Sequence, residues 1–340
     1  MTKRADPGAR AREYAVRAPG RVNLIGEHID YHGLPVLPMA LDRAVRIEAR
    51  PRDDGRVALR NRDPRFPPAR FDLGPALAAA APGAWQNYAR AAAHVAHALG
   101  ARRGVDAVIS SDLPAAAGLS SSSALVVAVA LALLAANELD VPALELATAL
   151  ARGERFVGTE GGGMDQAVCL AARAGHAMLI RFDPLSCRPV PVPDGWRVWV
   201  AHSGVDAEKS GAARDAYNRR RAEGRAALAR LAPGVTFAEA LAREPAEDWV
   251  ARAERRLDDV LLRRFRHVVL EAGRVERAVS MLEARDLEGL GALMTRSHAS
   301  LRDDYEVSHP RLDRLVDAAL AAGAAGARLT GAGFGEIGRA

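Results

Sequence analysis

The chain reads as an α+β protein of two packed domains. With 340 residues, 49% of them hydrophobic and 26% charged, it can bury the surface of two cores. Strand-period and helix-period segments alternate up to about residue 200, after which helical periodicity dominates from Ala212 onward. Three glycine-rich segments interrupt this pattern where regular elements meet. This composition excludes disordered, collagen-like and disulfide-scaffold chains.

Taken in order, EYAVRAPGRVNLIGEH reads as a strand running into a glycine-punctuated loop. A turn follows at Tyr31–Gly33, then a strand in ALDRAVRIEAR. Pro64, Pro67 and Pro68 mark a loop, and AWQNYARAAAHVAHALG reads as a helix closed by Gly100. GVDAVISSDLP is a strand that feeds a small-residue loop and a long apolar helix from Ser121 to Asn137. Ala143–Val157 is helical, and Gly158–Gly163 is a glycine loop. HAMLIRFDP and RVWVAHS read as strands on either side of a proline-rich link, Pro189–Pro193. The domain boundary is expected there, giving domains of residues 1–190 and 191–340.

Lys+Arg exceeds Asp+Glu by 47 to 42, and Lys3 and Lys209 are the only lysines. The arginines are scattered, and the run Arg219–Arg221 lies in a helical pattern as a solvated face, so the charge does not argue for nucleic acid. Cys169 and Cys187 lack zinc-ligand or disulfide spacing, which suits a reducing cytoplasm. The N-terminus lacks an apolar run of signal length, and the longest apolar stretch, Ala124–Ala136, is too short for a bilayer. Neither export nor a membrane partner is expected.

The strongest chemical signal is DLPAAAGLSSSSALVVAVAL. A strand ends, a glycine and Ser120–Ser123 turn the chain, and an apolar helix begins. That order directs unpaired N–H groups and the positive end of a helix at one point, with hydroxyls around it, and so favours a polyphosphate and its Mg²⁺. A Ser-capped buried helix is the plainer reading, but a cap needs one serine rather than four. The segment matches neither GxxxxGK[ST] nor GxGxxG.

APGRVNLIGEHIDYHG places Arg21, Asn23, Glu27, His28 and Asp30 within ten residues. Acceptor carboxylates beside Arg and His suit a polyhydroxylated ligand, although each residue alone also reads as an ordinary turn residue. In FVGTEGGGMDQAV, Gly161–Gly163 permit close backbone approach and Asp165 follows. A lone Asp there is commonly a helix cap. If Arg21 and Asp165 converge, however, they form an acid/base unit that also stabilises charge on a transferred phosphoryl group.

The chain resembles the GHMP small-molecule kinases, in particular their galactokinase and N-acetylgalactosamine kinase branch. The resemblance rests on GRVNLIGEHIDYHGLPVLPMA, LPAAAGLSSSSAL and RLTGAGFG, with support from AWQNYARA, GGGMDQ, DAYNRRRAE and SHASLRDDYEVSHPRLD. It implies a two-domain fold with the active site in the cleft between the domains, and an ATP-dependent transfer to the anomeric hydroxyl of galactose or a close relative. By the same resemblance, Asp165 is the base and Arg21 its partner, while Glu27, His28, Asp30, Gly162 and Tyr217 contact the sugar. Gly118, Leu119 and Ser120–Ser122 form the phosphate loop, and Ser121 or Ser122 with Glu154 holds Mg²⁺. Trp85 and Tyr88 line the adenine pocket, and Thr330, Gly331, Ala332 and Gly333 form the third motif.

Gly161 stands where the usual galactokinase motif has a cysteine, which is closer to the N-acetylgalactosamine form, whereas SLRDDYEVS and AYNRRRAE favour galactokinase. Family members continue past TGAGFGG through further strands, and this sequence ends in TGAGFGEIGRA, so the C-terminal domain is expected to lack its last strands. A non-catalytic sugar and nucleotide sensor is the alternative that such shortening leaves open. The expected partner is a small sugar, and the expected assembly a monomer or weak homodimer.

Overall fold

The computed structural model describes residues 13–114, 118–158, 161–204 and 212–333. Ala115–Ala117 of the phosphate-loop motif, Thr159 and Glu160 of the glycine loop, and the sequence after Gly333 lie outside the described residues.

Five strands, β1 (Tyr14–Asn23), β2 (Pro38–Pro51), β3 (Arg56–Asn61), β4 (Ala69–Asp72) and β5 (Val105–Ser111), form a sheet in the order β1-β2-β5-β3-β4. β1 pairs antiparallel with β2, with Tyr14 opposite Ala49, and the register shifts between Pro19 and Arg21. β3 and β5 are parallel. Helices α1 (Gln86–Ala98) and α2 (Ser121–Ala136) bury Ala89, Ala92, Val126, Val129 and Leu133 with sheet residues Ile47, Leu59 and Ile109. α2 is apolar all round, which is why the core surrounds it. α3 (Ala143–Gly153) and α4 (Met164–Ala171) bracket the glycine loop, and β6 (His176–Arg181) pairs with β7 (Ser186–Pro191) as a hairpin.

Helices α5 (Ala212–Leu231), α6 (Phe237–Arg243), α7 (Ala246–Glu254), α8 (Asp259–Ala284), α9 (Leu287–Asp303) and α10 (Pro310–Ala321) follow. Their core takes in Leu24, Ile25, Ile29 and Val36 beside Met178, Ile180, Phe265, Val268 and Val275. The first glycine-rich segment is therefore packed from both sides. Ile25 and Ile29 are fully buried, each contributing about 1.5–3 kcal/mol, and they fix the polar residues between them in place.

Three expectations need correction. The stretch read as a proline loop contains β3 and β4, and Pro64, Pro67 and Pro68 sit only in their connection. The link at Pro189–Pro193 begins as β7, where Pro189 opposite Met178 and Pro191 opposite His176 are tolerated because a two-stranded sheet has only edge strands. RVWVAHS forms no strand: among the described residues no strand pairs with it, and Val198, Trp199 and Val200 are exposed. No described helix is long and apolar enough to cross a membrane.

Candidate active site

The loop entering α2 turns through left-handed conformations at Gly118 (φ 73°) and Ser120 (φ 56°). No side chain caps the helix, so its first-turn N–H groups keep their capacity for an anion. The Ser120 hydroxyl turns instead to Asp165 and donates to Oδ2. A purely structural capping role for the serines is thereby set aside. Ser121 and Ser122 are half-buried on the first turn.

Arg21 and Asp165, 144 positions apart, meet with Arg21 Nε donating to Asp165 Oδ1 at 2.7 Å. Arg21 Nη1 also donates to the carbonyl of Gly118 at 2.7 Å, and its N–H donates to Leu119 O at 3.3 Å, so one residue ties β1 to the phosphate loop. Burial opposes the charge of Arg21, but Asp165 and Glu27 outweigh it and its pKa rises. Ser123 Oγ lies 2.8 Å from Glu154 Oε1 and 3.3 Å from Asp165 Oδ2, and its one proton bridges the two carboxylates, favouring the nearer. Glu154 is buried, and its negative charge adds to burial in raising the Tyr88 phenol. The hard oxygen donors at the start of α2 and Glu154 suit Mg²⁺, whose other positions ordinarily fall to phosphate oxygens and water. Among the described residues no group of three or more His, Cys, Asp or Glu side chains is placed to hold a metal ion.

The sugar-type residues lie next to this pair. Gly162 N–H donates to Asp30 Oδ2 at 3.2 Å. Burial, reinforced by the charge of Asp165, raises the Asp30 carboxyl to about 6. The ring of Tyr217 lies 5.5 Å from that of His28 and 5.2 Å from that of Tyr31. Burial lowers the His28 imidazole to about 3, so it is neutral at pH 7. The Ala332 carbonyl, 3.1 Å from Nε2, can only accept, so Nε2 carries the proton and Nδ1 accepts from Tyr31 Oη at 2.8 Å. Tyr305 Oη follows at 3.0 Å from that of Tyr31. Glu27 accepts from Gly331 N–H at 3.0 Å and from Asn23 Nδ2 at 3.1 Å, and pairs with Arg328. Gly331, at φ 87°, packs its Cα against Gly118, with an added Cβ reaching 3.0 Å from Gly118 O.

Of the residues singled out in the sequence, Arg21, Asp165, Ser120, Gly118, Leu119, Glu154, Asp30, Gly162, His28, Tyr217, Glu27 and Gly331 form one connected neighbourhood. Gly333 approaches Val307, and Trp85 stands off at the start of α1, where its Nε1 donates to Pro67 O at 3.1 Å and its ring meets Phe66 edge-on. Sequence reasoning missed Ser123, Tyr305, Arg328 and Glu271, whose carboxylate accepts the Gly26 N–H at 2.9 Å. Ser123 was visible as the fourth serine of its run, and Arg328 as the charge beside the third motif. Tyr305 lies within the segment SLRDDYEVS without being singled out there, and nothing local marked Glu271.

An uncapped helix N-terminus facing an Arg–Asp pair, with a second glycine loop packed against it, has the chemistry a small-molecule phosphotransferase needs. Family models agree. The galactokinase galactose-binding signature matches residues 7–51, the GHMP kinases N terminal domain residues 87–173, and the GHMP kinases C terminal domain residues 278–337. The chain is 45% identical over 331 residues to a galactokinase of Chloroflexus aggregans, a match covering 94% of this chain and 81% of the relative. It is 40% identical over 327 residues to one of Streptomyces coelicolor, with the same coverage. The structure of Lactococcus lactis galactokinase complexed with galactose matches with a TM-score of 0.84 at 31% identity, covering 97% of this chain and 85% of that one. L. major mevalonate kinase, at 18% identity and a TM-score of 0.62, shares the fold alone. The chain belongs to the galactokinase family, whose members are ATP-dependent phosphotransferases.

Proposed function

We propose that the protein transfers the γ-phosphoryl group of ATP to the anomeric hydroxyl of galactose. The observation carrying this reading is the Arg21–Asp165–Ser120 contact, which puts a carboxylate, a guanidinium and the phosphate-binding helix end at one point. The loop N–H groups and the start of α2 bind the polyphosphate. Mg²⁺ would be held by Glu154 with Ser121 or Ser122, and supplies charge neutralisation on the phosphates when bound. Asp30, Gly162, Tyr217, His28 and Glu27 orient the sugar, while Trp85 and Tyr88 flank adenine. As the new O–P bond forms and the bond to the β-phosphate oxygen breaks, Asp165 accepts the hydroxyl proton and ADP leaves. Arg21 stabilises the charge on the transferred group. A cytoplasmic setting suits the two free thiols.

Coupled ADP release with galactose, N-acetylgalactosamine, glucose and arabinose tests the reading, with galactose expected to give the highest kcat/KM. ATP binding without turnover on any sugar would replace it with a sensor. Selective turnover of N-acetylgalactosamine is the second reading, favoured by Gly161: a Cβ there would meet nothing nearer than Glu154 Oε2 at 3.8 Å, so the position is roomy.

Asp30 gives a pH prediction. As a carboxylate it accepts from sugar hydroxyls, so kcat/KM for galactose should fall about tenfold per pH unit below about 6, and Asp30→Asn should flatten this limb at a low value. The stability contribution has the opposite sign. A carboxyl whose folded pKa is raised from 3.8 to about 6 binds its proton more readily in the folded state, so its contribution to stability rises as pH falls through that window. Urea unfolding at pH 7 and 5 then separates lost activity from lost fold. A kcat/KM profile flat down to pH 5 in the unaltered protein would remove Asp30 from the sugar site.

A further inference from the structure

We infer that Arg328 is a positioning residue for sugar capture, acting through Glu27; the inference rests on the proposed galactose site and names the residue that sets its carboxylate. Arg328 and Glu27 form a salt bridge with side chains only 2% and 4% exposed, from positions 301 apart in the chain. Arg328 Nη2 donates to Glu27 Oε2, and Nη1 donates to the carbonyl of Asn23 at 3.0 Å. Oε2 also accepts from Asn23 Nδ2 at 3.1 Å, and Oε1 accepts from Gly331 N–H at 3.0 Å. A carboxylate offers about four acceptor sites, and these bonds take three of them. The one left is on Oε1, so a sugar hydroxyl can use Glu27 only while the other three bonds hold the group at a fixed rotation.

Arg328 is suited to that task because its planar fork reaches a carboxylate and a backbone carbonyl at once, which a lysine ammonium on a flexible stem does not do in the same geometry. The contact also joins two segments that must be in place together. Asn23 N–H approaches Thr330 Oγ1 at 3.3 Å, His28 meets the Ala332 carbonyl, and Gly331 lies against Gly118 of the phosphate loop. Arg328 thus links the sugar-facing carboxylate to the loop that closes over the phosphates. The phosphate loop and the start of α2 are hydrogen-bonded to Arg21, Asp165 and Glu154 rather than to this pair, which reaches them only through the packing of Gly331 on Gly118.

The test is calorimetric titration of galactose and, separately, of ADP on the full chain and on Arg328→Gln, Glu27→Gln and the double variant, with kcat and KM measured alongside. Loss of one charged hydrogen bond should weaken galactose about 10- to 100-fold in Kd and KM in either single variant, while ADP affinity stays within about threefold. The double variant should bind galactose no worse than the weaker single, because the two residues act as one unit. Arg328→Lys, which keeps the counter-charge but loses the fork, should fall between wild type and Arg328→Gln, and it carries the test if the Gln variant does not fold. Equal galactose affinity in wild type and the Arg328 variants would overturn the role, as would losses that multiply in the double variant. A matching loss of ADP affinity and melting temperature would reduce Arg328 to a rivet between loops. Galactose binding without turnover in the wild type would instead overturn the proposed reaction and leave the titration comparison standing.

Discussion

Asp165→Asn is expected to lower kcat for galactose by about 10²- to 10⁴-fold, the range that a positioned general base contributes, while ATP affinity stays within about threefold. The substitution is isosteric. Asn Oδ1 can still accept from Arg21 Nε, and the new amide can donate to the Ser120 hydroxyl, which turns round to accept. Only the charge and the ability to take a proton are lost. Arg21 remains buried with Glu27 as its other negative neighbour, so part of its compensation survives. Breaking a buried pair costs roughly 3–5 kcal/mol, and the 14% exposure of Asp165 puts the loss toward the lower end. Coupled assays, nucleotide titration and urea unfolding on one preparation separate these effects. A retained kcat would remove Asp165 as the base, and a parallel loss of ATP binding would show that the pair builds the phosphate loop rather than serving the chemistry.

The parts of this site that were legible in the sequence are those whose chemistry is local. Four serines after a glycine at a strand–helix junction are a local signal for an anion-binding helix start, and Ser120–Ser123 stand at the start of α2. Arg21 and Asp165 were readable as candidates because each adjoins a segment too crowded with glycine or polar groups to be ordinary connection, Arg21 near the end of β1 and Asp165 at the start of α4. Their meeting across 144 positions was a conditional expectation that only coordinates resolve. The pairing of Arg328 with Glu27 was not readable, since no spacing rule relates residues 301 apart, even though Arg328 opens the motif RLTGAGFG. Strand assignment failed in both directions for one reason. RVWVAHS alternates well but finds no described partner, while RVALRN and ARFD look weak beside prolines yet pair, because β5 offers RVALRN an edge and RVALRN offers the next one to ARFD. A strand is a property of two segments, and periodicity reports on one.

Gly162→Ala should damage turnover strongly although it adds only a methyl group. A Cβ at position 162 would lie 2.3 Å from the Asp30 carbonyl carbon, 2.4 Å from the Tyr31 nitrogen and 2.6 Å from Asp30 Cγ. The obstacle is chiefly backbone, and that backbone is anchored by the fully buried Ile29 and the nearly buried Tyr31, so the glycine loop must give way instead. Its displacement breaks the Gly162 N–H bond to Asp30 and moves the start of α4, which carries Asp165 three residues on. Overpacking of this kind costs about 1–3 kcal/mol, and a misplacement of about 1 Å at reacting groups costs about a hundredfold in rate. The expected result is a fall in kcat/KM for galactose of at least about 10²-fold, and ATP titration reads how far the displacement passes from Asp165 to the phosphate loop through Ser120. Gly55→Ala is the control: its nearest neighbours would be the Arg102 and Leu73 carbonyl oxygens at 3.5 Å, an ordinary contact far from the site, and activity should be unchanged. If Gly162→Ala turns over galactose like the control, Asp30 and the glycine loop do not need their close approach, and the sugar pocket described here is built differently.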